Sequence, residues 1–99
     1  MDAKLNPRNQ ALYRAVDEVL HYVWDPIGVS GVPHARDEYH GYLPDVVGLL
    51  LNGATEKSIA AYLGDVATNR MGLSANPQHD REVASVLIDW NHVVNGKFV

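Results

Sequence analysis

Apolar residues along the chain fall into four stretches, each with the period of a helix rather than a strand. In the first, Leu12, Val16, Val19, Leu20 and Val23 share one face, while Arg14, Asp17 and Glu18 fall mostly off it. Asn6-Pro7 supplies its start, an Asn N-cap followed by Pro at the first helical position. It should end near Trp24, because Asp25 precedes Pro26 and is pushed out of helical geometry. In the second, Val46, Val47, Leu49, Leu50 and Leu51 are apolar almost all round, which predicts the most buried helix. Pro44 separates a short turn over 36–42 from a main helix beginning about Leu43, and Asn52-Gly53 ends it. The third opens on Thr55 and Glu56, carries Ile59, Tyr62, Leu63, Val66 and Met71, and stops at a left-handed Gly72. The fourth repeats the Asn-Pro device at Asn76-Pro77, carries Val83, Val86, Leu87, Trp90, Val93 and Val94, and closes at Gly96.

No strand-period segment, internal repeat or low-complexity tract is present. The pattern predicts an all-α fold: a four-helix irregular antiparallel bundle, one domain over 1–99, with a long loop between helices 1 and 2. That loop is the one stretch without a period. Residues 25–35 (DPIGVSGVPHA) hold two Gly and two Pro, which makes regular structure improbable there. Its Ile27, Val29 and Val32 should pack it onto the bundle, and a partly buried loop of this length is a candidate functional element.

Composition narrows the function. The chain is 46% hydrophobic and 20% charged, as expected of a globular protein. It has no Cys, which excludes disulfides, thiolate metal sites and a Cys nucleophile and fits a reducing cytoplasm. The opening MDAKLNPRNQ has no apolar leader core, and no apolar run approaches a membrane span, so a cytoplasmic location is expected. The net charge is −4, and the eight bases stand singly along the chain. Free nucleic acid, which needs clustered Lys and Arg, is therefore an unlikely partner, and a basic protein a better one.

The chemistry-bearing residues cluster around the loop. Asp25 before Pro26 fits an Asx turn, its carboxylate accepting backbone N–H groups, or a pair with Arg36. Trp24 should close one end of the core, and Trp90, on the fourth stripe, should be buried too. His34, Asp37 and His40, with Glu38 beside them and His21 upstream, could in principle hold zinc, manganese or iron. The H-E-x-x-H spacing is absent, however, and His79-Asp80 stands without further ligands. Ser30, Ser58, Ser74 and Ser85 have no nucleophile-elbow context, and Gly28 and Gly31 make no phosphate loop. No catalytic residue, metal or cofactor is assigned. The acidic and aromatic set Asp25, Asp37, Glu38, Tyr39, Tyr42 and Asp45 reads instead as a protein-binding surface.

Trp24-Asp25-Pro26-Ile27-Gly28, followed by Asp37-Glu38-Tyr39 and an apolar helix, resembles small bacterial helical proteins with a W-D-P-(I/F)-G motif near the end of the first helix. The resemblance covers about residues 10–92. Some small helical proteins of this general type are immunity proteins that neutralise a toxin. By that analogy the expected function is a non-enzymatic protein-binding module, an immunity protein covering a basic toxin domain such as a nuclease. Two other readings are a metal-dependent enzyme built on residues 34–40 and a housekeeping homodimer that buries helix 2 against its symmetry mate.

Overall fold

In the computed structural model, residues 6–98 are described, and every regular element among them is helical. The opening segment 1–5, on which the leader reading partly rested, lies outside the described residues, as does Val99. Helix α1 (Pro7–Val19) begins as its sequence requires: Asn6 accepts from the Asn9 N–H at 2.8 Å and Pro7 takes the first position. It runs on as one wide π-type turn, Leu20–Trp24, closed by the Asp25 N–H donating to the Leu20 carbonyl at 3.0 Å. Two 3₁₀ turns, Pro33–Ala35 and His40–Tyr42, then lead into α2 (Leu43–Leu51), with Pro44 in its first turn. The end of α2 is a Schellman motif. Gly53, at φ 73°, lets the Ala54 N–H reach the Leu49 carbonyl at 3.0 Å and its own N–H reach Leu50 at 3.1 Å. Thr55 caps α3 (Glu56–Asp65), which also ends in a π-type turn, Val66–Arg70. Asn76 caps α4 (Pro77–Lys97).

The arrangement is an irregular antiparallel bundle. The last turn of α1 meets the first turn of α4, where His79 Nε2 donates to the Trp24 carbonyl at 2.9 Å. Gly64, near the end of α3, faces Asp80, near the start of α4. The overall extents are 39 × 31 × 19 Å. The smallest is about two helix diameters, so the helices lie in two layers. One continuous core runs through Leu12, Val16, Leu20, Trp24, Tyr39, Val46, Val47, Leu50, Ile59, Leu63, Val66, Val83, Ala84, Leu87 and Val94. Among the described residues no helix is long and apolar enough to cross a membrane.

Several expectations change. The π-type turn inserts an extra residue into the helical phase, so His21 and Trp24 turn inward and Val23 outward, 44% exposed. On α4 the buried line is Asp80, Val83, Ala84, Leu87 and Val94, with Asn91 half-buried between the last two. Trp90 is therefore 43% exposed and not core, and Val93 is exposed beside it; Gly96 lies inside the helix, which runs to Lys97. Helix α2 buries Val46, Val47 and Leu50 within its own chain, while Leu51 is exposed. Its apolar surface is thus mostly accounted for without a second copy. In the loop only Val29 packs on the core; Ile27 and Val32 face solvent.

Candidate functional site

Asp25 holds the long loop together. It is the one described non-glycine residue with positive φ, at 35°, a conformation that Asp tolerates better than most side chains. From there its Oδ1 accepts from the Val29 N–H at 2.8 Å, the Gly28 N–H at 3.1 Å and the Tyr39 hydroxyl at 2.7 Å. Its Oδ2 accepts from the Ser30 N–H at 3.1 Å. Burial pushes the carboxyl up, but the bonds from Tyr39, Val29 and Ser30 outweigh it and hold its pKa below the ordinary value. The Tyr39 hydroxyl in turn accepts from the Ile27 N–H at 3.1 Å. Burial, and next the hydrogen bond to Asp25, raise that hydroxyl well above the usual tyrosine range. The Asx turn is therefore real, and much larger than a single cap.

The same bonds decide which predicted contacts are open. Tyr39 is 2% exposed, its ring tilted against Trp24 at 5.4 Å between centroids, and offers no area to a partner. Asp25 is half-buried with both oxygens engaged. Arg36 does not pair with it. Its guanidinium forms a two-point bridge to Asp17 at 2.9 and 3.0 Å, lies 3.5 Å from Glu18, and stacks over Tyr22 at 5.3 Å. His40 Nε2 also reaches Asp17, at 3.0 Å.

Segment 33–42 is thus pinned to α1 through Arg36 and His40 and to the loop through Tyr39. Successive i to i+3 bonds run along it: Glu38 N–H to Ala35, His40 N–H to Asp37 and Tyr42 N–H to Tyr39, each at 3.1 Å. What it turns outward is Asp37 and Glu38, both exposed. Among the described residues neither carboxylate enters an ion pair or side-chain hydrogen bond. Tyr42 is half-buried, edge-on to Trp24. Asp45 is exposed and accepts from the Tyr62 hydroxyl at 2.7 Å, and Arg70 sits over both rings, 6.0 Å from Tyr42 and 5.9 Å from Tyr62. Of the six predicted contacts, then, Asp37 and Glu38 stand free at the surface, Asp45 is exposed but bonded to Tyr62, Tyr42 is partly open, and Asp25 and Tyr39 work from behind.

The metal reading loses its geometry. Among the described residues no three His, Asp or Glu side chains gather as ligands. His21 is buried in the π-type turn, and His40 points to Asp17.

A second feature drew little notice in the sequence. Asp80, on the buried line of α4, is only 4% exposed. Its Oδ1 accepts from the Trp24 indole N–H at 3.2 Å. Desolvation raises its pKa, against the opposing pull of that bond and of His79. It lines a groove of about 350 Å³ between α3 and α4. In the sequence His79-Asp80 stands as a pair without further metal ligands, and nothing beside it marks a buried acid.

No family model matches the chain, and comparison with curated proteins and with solved structures finds no match. What class of protein this is must therefore be argued from its own surface.

Proposed function

We propose that the chain is a non-enzymatic protein-binding module whose contact surface is the acidic turn at 36–45 and whose partner is a basic protein. The observation that carries this reading is the pair Asp37 and Glu38: two exposed, unpaired carboxylates on a non-helical segment anchored by Arg36 and Tyr39. With the backbone of the turn already fixed, only the two acidic side chains lose freedom on binding. Tyr22 and Val32, exposed beside Arg36 around a cleft of about 320 Å³, supply apolar area next to the acids. A standard interface covers roughly 800 Å² per partner, so it would extend from the turn over these residues.

In its sharpest form the module is an immunity protein that covers the basic active surface of a toxin, for instance a nuclease. That form rests on analogy with small helical immunity proteins of this general type. The bundle is the scaffold, and the acids with Tyr42 and Asp45 are the contacts. The test is affinity purification of the tagged protein from its native host, beside a variant carrying both Asp37→Lys and Glu38→Lys. One stoichiometric basic partner should survive a high-salt wash with the wild type, and charge reversal should weaken it by at least about tenfold while the fold is retained. A partner held equally well by both proteins removes this face, and the absence of any partner removes the constitutive-binding reading.

A further inference from the structure

We propose that the groove between α3 and α4 binds a small aliphatic amine that also carries an anionic group, a molecule of the ω-amino-acid class. Its ammonium would sit on Asp80 Oδ2 and its anion between Lys57 and Arg81.

Four observations carry this. Asp80 is only 4% exposed, and of its two oxygens Oδ1 alone has a donor among the described residues. Among the described residues nothing donates to Oδ2, and that residue lines the groove. The indole N–H serves only Oδ1, and an ammonium in the groove would give Oδ2 a charge-assisted hydrogen bond.

The walls leave room for such a donor. They are Ala60, Ala61 and Gly64, and a Cβ on Gly64 would stand 3.3 Å from Oδ2, so glycine keeps the approach to the carboxylate open. The lining is mostly apolar, suited to a methylene chain, and the volume falls in the range of small-molecule sites.

Two cations line the groove with Asp80, and one of them, Arg81, also borders Glu56 and Glu82. Lys57 and Arg81 are exposed, and among the described residues neither side chain has an ion-pair partner. A simple amine would satisfy Asp80 but pass two cations, and a simple carboxylic acid would meet the cations but face the buried acid. A chain with both ends satisfies both. The proposal uses neither Asp37 nor Glu38, so it stands or falls apart from the protein-binding reading.

The test is calorimetric titration of the full chain with β-alanine, γ-aminobutyrate and ε-aminocaproate, beside n-hexylamine and caproate. At least one amino acid should bind saturably, about tenfold tighter than either single-headed compound. Asp80→Asn keeps an acceptor for Trp24 but removes the charge, and should lower affinity about tenfold or more. Ala61→Leu, at an exposed wall position, should abolish binding by filling the groove. Circular dichroism checks that both variants fold. No saturable binding of any amino acid overturns the proposal. So does caproate binding equally well, or unchanged affinity in Asp80→Asn. Should that variant not fold, unchanged affinity in Ala61→Leu overturns it.

Discussion

Replacing Asp25 with alanine removes the acceptor for four donors at once, and the structure sets the scale of the loss. The Gly28 and Ser30 N–H groups are exposed and turn to water at little cost. The half-buried Val29 N–H and the Tyr39 hydroxyl do not, because both lie against the core. Two partly desolvated donors left unpaired cost about 2–3 kcal/mol. Alanine at φ 35° adds roughly 1 kcal/mol of backbone strain that glycine avoids. Asp25→Ala should therefore lose about 3–4 kcal/mol, a large part of the roughly 5–15 kcal/mol that stabilises a domain of this kind. Asp25→Gly should lose about 1 kcal/mol less than alanine. Asp25→Asn should lose least, because one oxygen remains and only the Ser30 bond is forfeited outright. Urea unfolding followed by circular dichroism gives the order Asp, Asn, Gly, Ala. The pH dependence has a definite sign. A carboxyl whose folded pKa lies below its unfolded value of about 3.9 contributes stability that is complete above that value and lost as pH falls through the folded pKa. The gap between wild type and Asp25→Ala should accordingly narrow in acid. If alanine costs less than about 1 kcal/mol, or glycine is worse than alanine, the loop is not organised by this residue.

Three further outcomes follow from the same contacts. Trp24→Phe deletes the one donor to the Asp80 carboxylate among the described residues and should cost about 2–3 kcal/mol, most of it recovered when Asp80 is also made apolar; a full double-mutant cycle in thermal unfolding reads the coupling directly. Asp80→Asn alone should raise the melting temperature by a few degrees at neutral pH. A carboxyl with a raised folded pKa weakens the fold increasingly as pH rises from the unfolded pKa to the folded one, so the gain should vanish in acid. Trp90→Ala should change stability by less than about 1 kcal/mol, against roughly 3–5 kcal/mol for Trp24→Ala; comparable losses at the two positions would contradict the exposure seen here.

The fold was legible where one local device decided it. Asn6-Pro7, Thr55 and Asn76-Pro77 cap their helices, Gly53 and Gly72 take the left-handed conformation, and Pro44 separates the 3₁₀ turn from α2. The two π-type turns were not legible, since nothing at Leu20 or Val66 marks an extra residue in the turn. They set the phase at Trp24 and Arg70, and with it which face is buried. The Asp25 turn could be read from Asp-Pro, but not its bond to Tyr39, because that bond joins positions 14 residues apart. Exposure of Asp37 and Glu38 was readable from charge. Burial of Tyr39 was not, since an aromatic on a turn packs inward or outward according to what lies beneath it, and here that is Trp24.

Helix α4 shows why a rule of apolar stripes misplaced Trp90. Counting only apolar side chains puts Val86, Trp90 and Val93 on the inner face, whereas the inner line also contains Asp80 and Asn91. Each of these polar residues has a distant partner: Asp80 takes the Trp24 indole N–H, and Asn91 Nδ2 donates to the Leu50 carbonyl at 3.3 Å. A 21-residue helix with only apolar contacts could slide by a turn against α1 and α2 and find nearly equal packing. Two polar contacts well apart along the helix penalise such a slip, because moving it breaks both bonds, although Asn91 Oδ1 is buried without a partner even in place. The two are not equivalent, however. Asn91 is neutral and only half-buried, whereas Asp80 adds an almost fully buried charge that registration alone does not require, and asparagine there would still accept from Trp24. A carboxylate in place of an amide should weaken the fold at neutral pH without improving the alignment of the helix. That excess points away from structure and toward the groove on which its second oxygen opens.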